Sequence, residues 1–387
     1  MGTPKANRTL CSMNPVEQYL SYKLREREIA GNMRQLRTNY APVDFFSNDY
    51  LGLVTNGTLA SLMHPFPIDI HATGSTGSRL LSGNSERAEQ LEQTIAGFHN
   101  AEAALLFNSG YDANVGLLSA VAGRHTTVLS DELCHASIID GIRLSQCQRR
   151  YKFQHNDLSD LEGKLKRHKD GGPMIVVIES VYSMDGDMAP LQDIAELCGV
   201  HNAQLIVDEA HATGVVGRHG EGLVCTLGIQ NKVFARIHTF GKALGCHGAA
   251  VVGNELLKQY LVNFARSFIY TTALPGHAVH AAYCAYQYLA EHSFTNQPLH
   301  ELVAHFRGTI SRSGSEGWKE SNSQIQALVV GDNERCRQLA SKLQSAGLQI
   351  NPILHPTVPL GMERLRICLH TFNTRQQIDD LFVILGN

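Results

Sequence analysis

Apolar residues lead directly into a group of ionisable ones in the segment Gln204-Leu205-Ile206-Val207-Asp208-Glu209-Ala210-His211. A run this apolar is typical of a strand that is buried on both faces, as in a parallel sheet covered by helices. Met174 to Glu179 has the same character, and helical periods alternate with short β-rich runs from about Ser85 onward. This alternation predicts an α/β fold with a parallel or mostly parallel sheet.

The remaining elements are predicted from periodicity and from the residues that begin or end them. Further strands are predicted at Val43–Ser47, Ala103–Phe107 and Thr126–Ser130. Helices are predicted at Tyr19–Arg37 (exposed and basic), Ser85–Phe98, Ser109–Ala120 and His277–Ala290. A further helix is predicted to follow the strand at Thr126–Ser130 and to run through Ile138. After Pro275 the pattern predicts a small α+β unit, with elements at Ile325–Val330, Arg335–Ser345 and Leu365–Leu369.

The length of 387 residues exceeds that of one ordinary domain, so a large domain with a smaller companion is expected. We predict a large α/β domain at residues 56–280 and a small α+β domain at residues 281–387. An N-terminal segment, residues 1–55, would pack with the small domain.

Composition excludes several classes of protein. Hydrophobic residues make up 43% and charged residues 18%, which fits a soluble globular protein and excludes a disordered or coiled-coil chain. The 33 basic and 36 acidic residues give a net charge of -3, so neither a nucleic-acid nor a membrane partner is expected. The nine cysteines are scattered without a C-x-x-C pair, so no metal site is predicted. Met1 to Leu20 lacks the apolar core of a signal peptide, and a reduced, cytoplasmic protein is the resulting expectation.

Three local patterns are candidates for chemistry. Asp208 closes a buried strand three residues before His211, although a strand-end carboxylate can equally cap a helix. Ser109-Gly110-Tyr111 is a small-residue turn at a helix start, a ready anion site but a common one. Lys242 lies between Gly241 and Gly245 in apolar surroundings, where a surface lysine is the commoner interpretation. Along the chain the order is the anion-binding turn, the aspartate with its histidine, and the lysine. In that order, the three patterns together match the requirements of a pyridoxal 5'-phosphate enzyme with the large aminotransferase fold.

Longer motifs carry a specific resemblance. From about Tyr19 to the C-terminus the chain resembles the α-oxoamine synthases, a family of pyridoxal-phosphate enzymes with an aminotransferase-like fold (fold type I). The matching motifs are Ser47-Asn48-Asp49-Tyr50-Leu51-Gly52-Leu53, Gly74-Ser75-Thr76-Gly77-Ser78-Arg79, Asp131-Glu132-Leu133-Cys134-His135-Ala136-Ser137, Tyr182-Ser183-Met184-Asp185-Gly186-Asp187, Asp208-Glu209-Ala210-His211-Ala212-Thr213-Gly214 and Thr239-Phe240-Gly241-Lys242.

The resemblance implies roles for four catalytic residues. Lys242 would hold the cofactor as a Schiff base, and Asp208 would pair with the pyridine nitrogen so that the ring acts as an electron sink. His211 would hydrogen-bond the phenolic oxygen of the ring. His135 would stack on the ring face, where an imidazole can also handle protons.

It also implies the remaining binding residues. The phosphate would lie on the backbone N–H groups of Ser109, Gly110 and Tyr111 and on the Thr239 hydroxyl, and Thr271 and Thr272 would reach it from the partner subunit of a homodimer with shared active sites. Ser183 would line the site beside the cofactor, and Asn48, Arg34 and Arg366 would bind substrate. The planar guanidinium of Arg366 suits the carboxylate of an amino acid, whereas Arg364 would be structural.

Within the family, the motifs favour a decarboxylative condensation of L-alanine with pimeloyl-CoA or pimeloyl-acyl carrier protein, which yields 8-amino-7-oxononanoate for biotin biosynthesis. The segments Thr239–Lys242, Val330–Asn333 and Pro356–Pro359 support this interpretation. The stretch His135 to Leu144 instead resembles glycine C-acetyltransferase (2-amino-3-ketobutyrate CoA ligase), which uses glycine and acetyl-CoA. Ala88 stands where many members of the family have a histidine.

Two further alternatives remain open at this point. An ordinary aminotransferase would use the same lysine, aspartate and phosphate turn, but it would release no CO2. A non-catalytic binding or scaffold protein could keep the fold without the chemistry. Retention of Lys242, Asp208, His211 and His135 together argues against the scaffold.

Overall fold

The computed structural model describes residues 13–65, 74–169 and 171–386. The first twelve residues of the predicted N-terminal segment, which include Cys11, lie outside the described residues. The strands of the described residues are β1 Val43–Asp44, β2 Ala103–Phe107, β3 Thr127–Asp131, β4 Arg149–Phe153, β5 Met174–Glu179, β6 Ala203–Asp208, β7 Ala235–Thr239, β8 Ala249–Gly253, β9 Ile325–Val329, β10 Leu348–Gln349, β11 Asn351–Ile353 and β12 Arg364–Cys368.

The helices, in chain order, are α1 Pro15–Ile29, α2 Thr58–Leu62, α3 Glu86–Phe98, α4 Gly110–Val121, α5 Ala136–Leu144, α6 Leu158–His168, α7 Leu191–Val200, α8 Leu223–Thr226, α9 Glu255–Phe264, α10 Arg266–Ile269, α11 Gly276–Glu291, α12 Gln297–Ser313, α13 Asn333–Ser345 and α14 Arg375–Leu385. Within the described part of the chain, no helix is both long and apolar enough to span a membrane.

A seven-stranded sheet forms the centre of the molecule, in the order β2-β8-β7-β6-β5-β3-β4. Strand β8 is antiparallel to both of its neighbours, and every other pair is parallel. This confirms the predicted mostly parallel sheet. Because Glu179 and Asp208 are partners in the register of β5 and β6, their side chains end at the same edge of the sheet.

Apolar layers cover both faces of this sheet, which explains why its strands read as continuous apolar runs. In β5, Val176 and Ile178 belong to one hydrophobic cluster, whereas Ile175 and Val177 belong to another. Successive residues of a strand point to opposite faces, so each face of β5 is buried against its own layer of helices.

A smaller antiparallel sheet, in the order β11-β12-β9, lies in the C-terminal part of the chain. Strand β1 pairs in parallel with β10, so the chain near residue 43 is hydrogen-bonded to the C-terminal region. Helix α11 runs without interruption through residue 280, so the predicted boundary between the large and small domains falls inside a helix.

The structure corrects two predicted elements near the N-terminus. The helix predicted to reach Arg37 ends at Ile29, because Ala30 caps it and Gly31 follows with a φ of +61°, in the left-handed region. The strand predicted at Val43–Ser47 is only two residues long. It ends there because the Asp44 carboxylate accepts the N–H groups of Phe46 and Ser47, which turns the chain away.

Candidate active site

The ends of neighbouring parallel strands bring the predicted residues together. Asp208 is the last residue of β6, and Thr239 is the last residue of β7, three positions before Lys242. His135 follows β3 and caps α5. The carboxyl edge of an open parallel sheet is where such folds bind ligands, and the topology therefore collects these side chains in one place.

The amine of Lys242 is bound to His211. Its Nζ atom lies 2.9 Å from Nε2 of the imidazole. Desolvation lowers the pKa of Lys242 to about 8, although the charges of Asp208 and Glu179 oppose the shift. An amine with this pKa is partly neutral near neutral pH, as a group that must form a Schiff base or accept a proton requires.

His211 is nearly fully buried, and its two nitrogens have different partners. Nδ1 lies 2.8 Å from the Tyr50 hydroxyl, which in turn donates to Oδ1 of Asn48 at 2.8 Å. Because the hydroxyl has one proton, Nδ1–H donates to Tyr50, and Nε2 is left to accept from Lys242. Burial, followed by the charge of Lys242, holds the pKa of His211 well below its usual range.

Neutral donors hold the Asp208 carboxylate. Its Oδ2 accepts from Nδ2 of Asn114 at 2.7 Å, and its Oδ1 accepts from the backbone N–H of Ala210 at 2.9 Å. No ion pair of Asp208 is found among the described residues. The buried negative charge is thus available to a cationic group such as a protonated pyridine nitrogen.

His135 and Glu179 form the next layer of the site. The backbone N–H of His135 donates to Oε1 of Glu179 at 2.6 Å, and Nδ1 of His135 lies 2.7 Å from Oγ of Ser137. Desolvation by the surrounding protein lowers the pKa of His135, with Asp208 opposing and Lys242 adding to the shift. Burial, followed by the charge of Asp208, raises the pKa of Glu179 to about 8. Sequence reasoning missed Glu179, although its place at the end of β5 beside Asp208 was a usable signal.

An anion cradle lies between the start of α4 and the end of β7. Ser109 caps α4, and the helix begins at Gly110 and Tyr111. A Cβ atom at Gly110 would lie 3.3 Å from both Cβ and Oγ1 of Thr239, so glycine leaves this gap open. Free N–H groups at a helix N-terminus beside a hydroxyl suit a phosphate. The geometry places the four predicted phosphate residues together.

The segment of Thr271 and Thr272 lies beside this cradle in its own chain. Nδ2 of Asn108 donates to Oγ1 of Thr271 and to the carbonyl oxygen of Thr272, both at 2.9 Å. Asn108 immediately precedes the cap residue Ser109, so the segment is adjacent to the anion cradle within one chain. A role for Thr271 and Thr272 in a partner's site stays a prediction. Asn108 was also missed, although its position directly after β2 pointed to this edge of the sheet.

Arg366 reaches the site from β12 of the smaller sheet. Its Nε donates to the carbonyl oxygen of Ser183 at 2.6 Å, and one terminal nitrogen lies 3.2 Å from Oδ1 of Asn48. Arg364, two positions earlier, instead forms a buried ion pair with Asp185, as a structural residue would. The structure therefore joins three of the predicted positions, Arg366, Asn48 and Ser183, to the Lys242 cluster.

The predicted substrate residue Arg34 lies apart from this cluster, as does Ala88, to which no role was assigned. Arg34 is exposed, and its Nη2 lies 3.3 Å from Oγ1 of Thr357. No hydrogen bond within the described range connects Arg34 to Lys242, Asn48 or Arg366. Ala88 is buried in the apolar layer on α3, where its small side chain packs in the core.

The donor set fits pyridoxal 5'-phosphate. A desolvated amine, an uncompensated carboxylate, two imidazoles and an anion cradle lie along one edge of the sheet, and they correspond to the functional groups of that cofactor. Lys242 would hold its aldehyde carbon, Asp208 its ring nitrogen, and the start of α4 its phosphate.

Comparison with known proteins of similar sequence and fold supports this choice of cofactor. The family described as aminotransferase class I and II matches residues 41–382. An 8-amino-7-oxononanoate synthase of Emericella nidulans is 42% identical over 361 residues, which cover 88% of this chain and 87% of the relative. A solved serine palmitoyltransferase of S. paucimobilis has a TM-score of 0.85 and 26% identity, covering 96% of this chain and 97% of that one. The 8-amino-7-oxononanoate synthase of Francisella tularensis has a TM-score of 0.74 and 28% identity, covering 89% and 96%. The chain therefore belongs to the class I and II aminotransferase family of pyridoxal 5'-phosphate enzymes, in which it is similar over most of its length to the 8-amino-7-oxononanoate synthases.

Proposed function

We propose that the chain condenses L-alanine with a pimeloyl thioester, of CoA or of acyl carrier protein, to give 8-amino-7-oxononanoate, CO2 and the free thiol. The observation that carries the proposal is the hydrogen-bonded connection from Lys242 to Arg366. It runs through His211, Tyr50 and Asn48, so the amine that handles the proton and the guanidinium that suits a carboxylate belong to one site.

When bound, pyridoxal 5'-phosphate supplies an electron sink that makes the α-proton of an attached amino acid acidic. Arg366 holds the carboxylate of alanine with two parallel donors, which fixes the direction of the Cα–H bond. Lys242 takes the α-proton, as its lowered pKa of about 8 allows. Glu179 is buried beside Asp208 and fixes the backbone of the exposed His135 through the hydrogen bond that it accepts from that N–H.

The acyl transfer then forms one bond at Cα and breaks two others. Cα of alanine forms a bond to the thioester carbonyl carbon, and the thiolate leaves. The resulting β-keto acid loses its carboxylate as CO2, and a proton from Lys242 replaces it at Cα. Serine palmitoyltransferase, whose fold matches this chain, carries acyl transfer to an amino acid in its name.

We further propose a homodimer with shared active sites. Helix α1 has no buried residue, yet it carries large apolar side chains that are exposed, Tyr19 by 60% and Leu20 by 54%. Exposed apolar surface of this kind is typical of an interaction surface. Thr271 and Thr272, beside the anion cradle, would then contact the partner's site. The domain division at residues 55 and 280, a cytoplasmic location, and a substrate role for the exposed Arg34 are further parts of this proposal.

Glycine C-acetyltransferase remains the second candidate, because the sequence of α5 and its cap, His135 to Leu144, resembles that enzyme. Product identification separates the two. The purified holoenzyme is incubated with L-alanine or glycine and with pimeloyl-CoA, pimeloyl-carrier protein or acetyl-CoA, and each product is identified by mass spectrometry. A dominant 8-amino-7-oxononanoate product is expected, whereas 2-amino-3-ketobutyrate from glycine and acetyl-CoA as the main product would overturn the proposal.

A further inference from the structure

A chain of hydrogen bonds, buried from Asp208 as far as Ser137, connects Asp208 to His135. It runs through Asn114 and Ser137, which have not been assigned a role above. Asn114 and Ser137 are each 1% exposed. Nδ2 of Asn114 donates to Oδ2 of Asp208 at 2.7 Å and to Oγ of Ser137 at 3.1 Å. The two residues come from different helices, α4 and α5, so the chain also crosses the contact between those helices.

The proton positions along this chain follow from the donor inventory. A carboxylate only accepts, so the amide of Asn114 must present its NH2 group to Asp208, and its second hydrogen reaches Ser137. The Ser137 oxygen thus accepts from Asn114, and its single proton is free to point to Nδ1 of His135, 2.7 Å away. The backbone N–H of Ser137 also points to Nδ1, at 3.2 Å. Two donors converge on one ring nitrogen.

We infer that Asn114 and Ser137 are positioning residues that hold His135 as the neutral imidazole with its proton on Nε2. A proton on Nδ1 would face the backbone N–H of Ser137, which the start of helix α5 fixes and which cannot rotate away. The charges that act on the ring are Asp208, which favours the imidazolium, and Lys242, which opposes it. The titratable Glu179, whose raised pKa favours its neutral form, accepts the backbone N–H of His135. The hydroxyl and the backbone N–H of Ser137 favour the neutral imidazole of His135, as the charge of Lys242 does.

The consequence for the reaction concerns proton traffic at the ring face. With Nδ1 engaged as an acceptor, the Nε2–H of His135 is the group that can donate to substrate or cofactor. The role of this proton in the reaction rests on the proposed function. The position of the proton does not, because it is measured on the cofactor-free protein.

The test is the titration of His135 by NMR on cofactor-free protein labelled with 15N-histidine, with His135→Gln to assign its signal. In the wild type, the 15N shifts should report a proton on Nε2. Loss of the hydroxyl in Ser137→Ala should raise the pKa of His135 by about one pH unit, the size expected for one lost hydrogen bond. Asn114→Ala should move it in the same direction, because Ser137 is then free to turn its hydroxyl elsewhere.

Two controls separate this effect from a disturbed fold. Ser145→Ala removes a hydroxyl that bonds Ile142 at the other end of α5 and should leave the titration of His135 unchanged. Ser137→Thr keeps the hydroxyl and should restore the wild-type titration. With the holoenzyme, the pH profile of kcat/KM should shift by the same amount in Ser137→Ala. A wild-type proton on Nδ1, or equal His135 titrations in wild type and Ser137→Ala, would overturn the inference, whatever the substrates prove to be.

Discussion

The amine nitrogen of Lys242 lies 2.9 Å from Nε2 of His211, and the other ring nitrogen of His211 is held by Tyr50. The direction of the reactive amine is therefore set by a buried imidazole whose own orientation is fixed. Fixed contacts of this kind reduce the reorganisation that a reaction at the amine needs.

Replacing Lys242 with Ala should abolish turnover and leave the fold intact, because the side chain ends in a site that ligand can fill. Some non-covalent binding of pyridoxal 5'-phosphate should remain through Asp208 and the anion cradle. Borohydride reduction followed by peptide mass spectrometry should label Lys242 in the wild type and in the control variant Lys232→Ala. A cofactor-labelled peptide without Lys242 would contradict the assignment.

Changing Asp208 to Asn should leave the cofactor bound and lower kcat by about 10²–10³-fold. A neutral amide cannot keep the pyridine nitrogen protonated, and one preorganised electrostatic contact is worth about 3–4 kcal/mol of barrier. Steady-state kinetics with Asp193→Asn, an exposed position on α7, provides the control. Near-normal turnover in Asp208→Asn would mean that this carboxylate has only a structural role.

Arg366→Lys should raise KM for the amino acid by about 10–100-fold, because an ammonium cannot give the carboxylate two parallel hydrogen bonds. The KM for the acyl thioester should change much less. Arg375→Lys, at an exposed position at the start of α14, should change neither value. A larger increase of the thioester KM than of the amino-acid KM would place the thioester, and not the amino acid, at Arg366.

Selectivity for the acyl chain should exceed selectivity for the amino acid. Alanine and glycine differ by one methyl group, for which a pocket discriminates by about 1–3 kcal/mol. Pimeloyl and acetyl groups differ by several methylenes, each worth about 0.8 kcal/mol when buried. Values of kcat/KM for the four pairings measure both ratios. A larger ratio for the amino acids than for the thioesters would contradict this prediction.

His99 should make stability depend on pH. Burial lowers the pKa of His99 to about 3, and its ring nitrogens bond the Glu221 carbonyl and the Tyr286 hydroxyl. Below about pH 6.5 the unfolded chain therefore binds a proton that the folded chain does not, so this contribution is complete above pH 6.5 and decreases towards pH 3. Between about pH 6 and 4, the free energy of unfolding should therefore decrease by about 1.4 kcal/mol for each pH unit of acidification through His99.

Buried acids oppose this trend, since burial raises the pKa of Glu209 to about 7. The measurement is therefore a difference: denaturant unfolding of wild type and His99→Gln at several pH values. The free energy of unfolding should decrease more steeply with acidification in the wild type. Parallel pH curves for the two proteins would show that His99 titrates normally in the fold.

Strong local patterns predicted the central sheet and singled out Asp208, His211, Lys242 and the turn Ser109-Gly110-Tyr111, whereas His135 and the remaining expected cofactor residues came from the family resemblance. Met174–Glu179 was predicted with the bounds that the structure has, because a run buried on both faces has few alternatives. The N-terminal helix was predicted too long, since its basic, exposed residues carry little information about where it ends. Glu179, Asn108, Asn114 and Ser137 were missed as site residues because their importance comes from contacts between elements distant in sequence. Such contacts leave no periodic pattern in a single chain.

Arg364 and Arg366 share one face of β12, because residues two apart in a strand point the same way. Arg364 forms an ion pair with the carboxylate of Asp185, and Arg366 donates a hydrogen bond to the carbonyl oxygen of Ser183. The smaller sheet is therefore attached to the loop after β5 at two points. The strand cannot slide or tilt against the central sheet without dragging that loop or breaking both attachments. A carboxylate bound by Arg366, as proposed, would therefore contact a residue that is itself attached to the backbone that leads from Glu179.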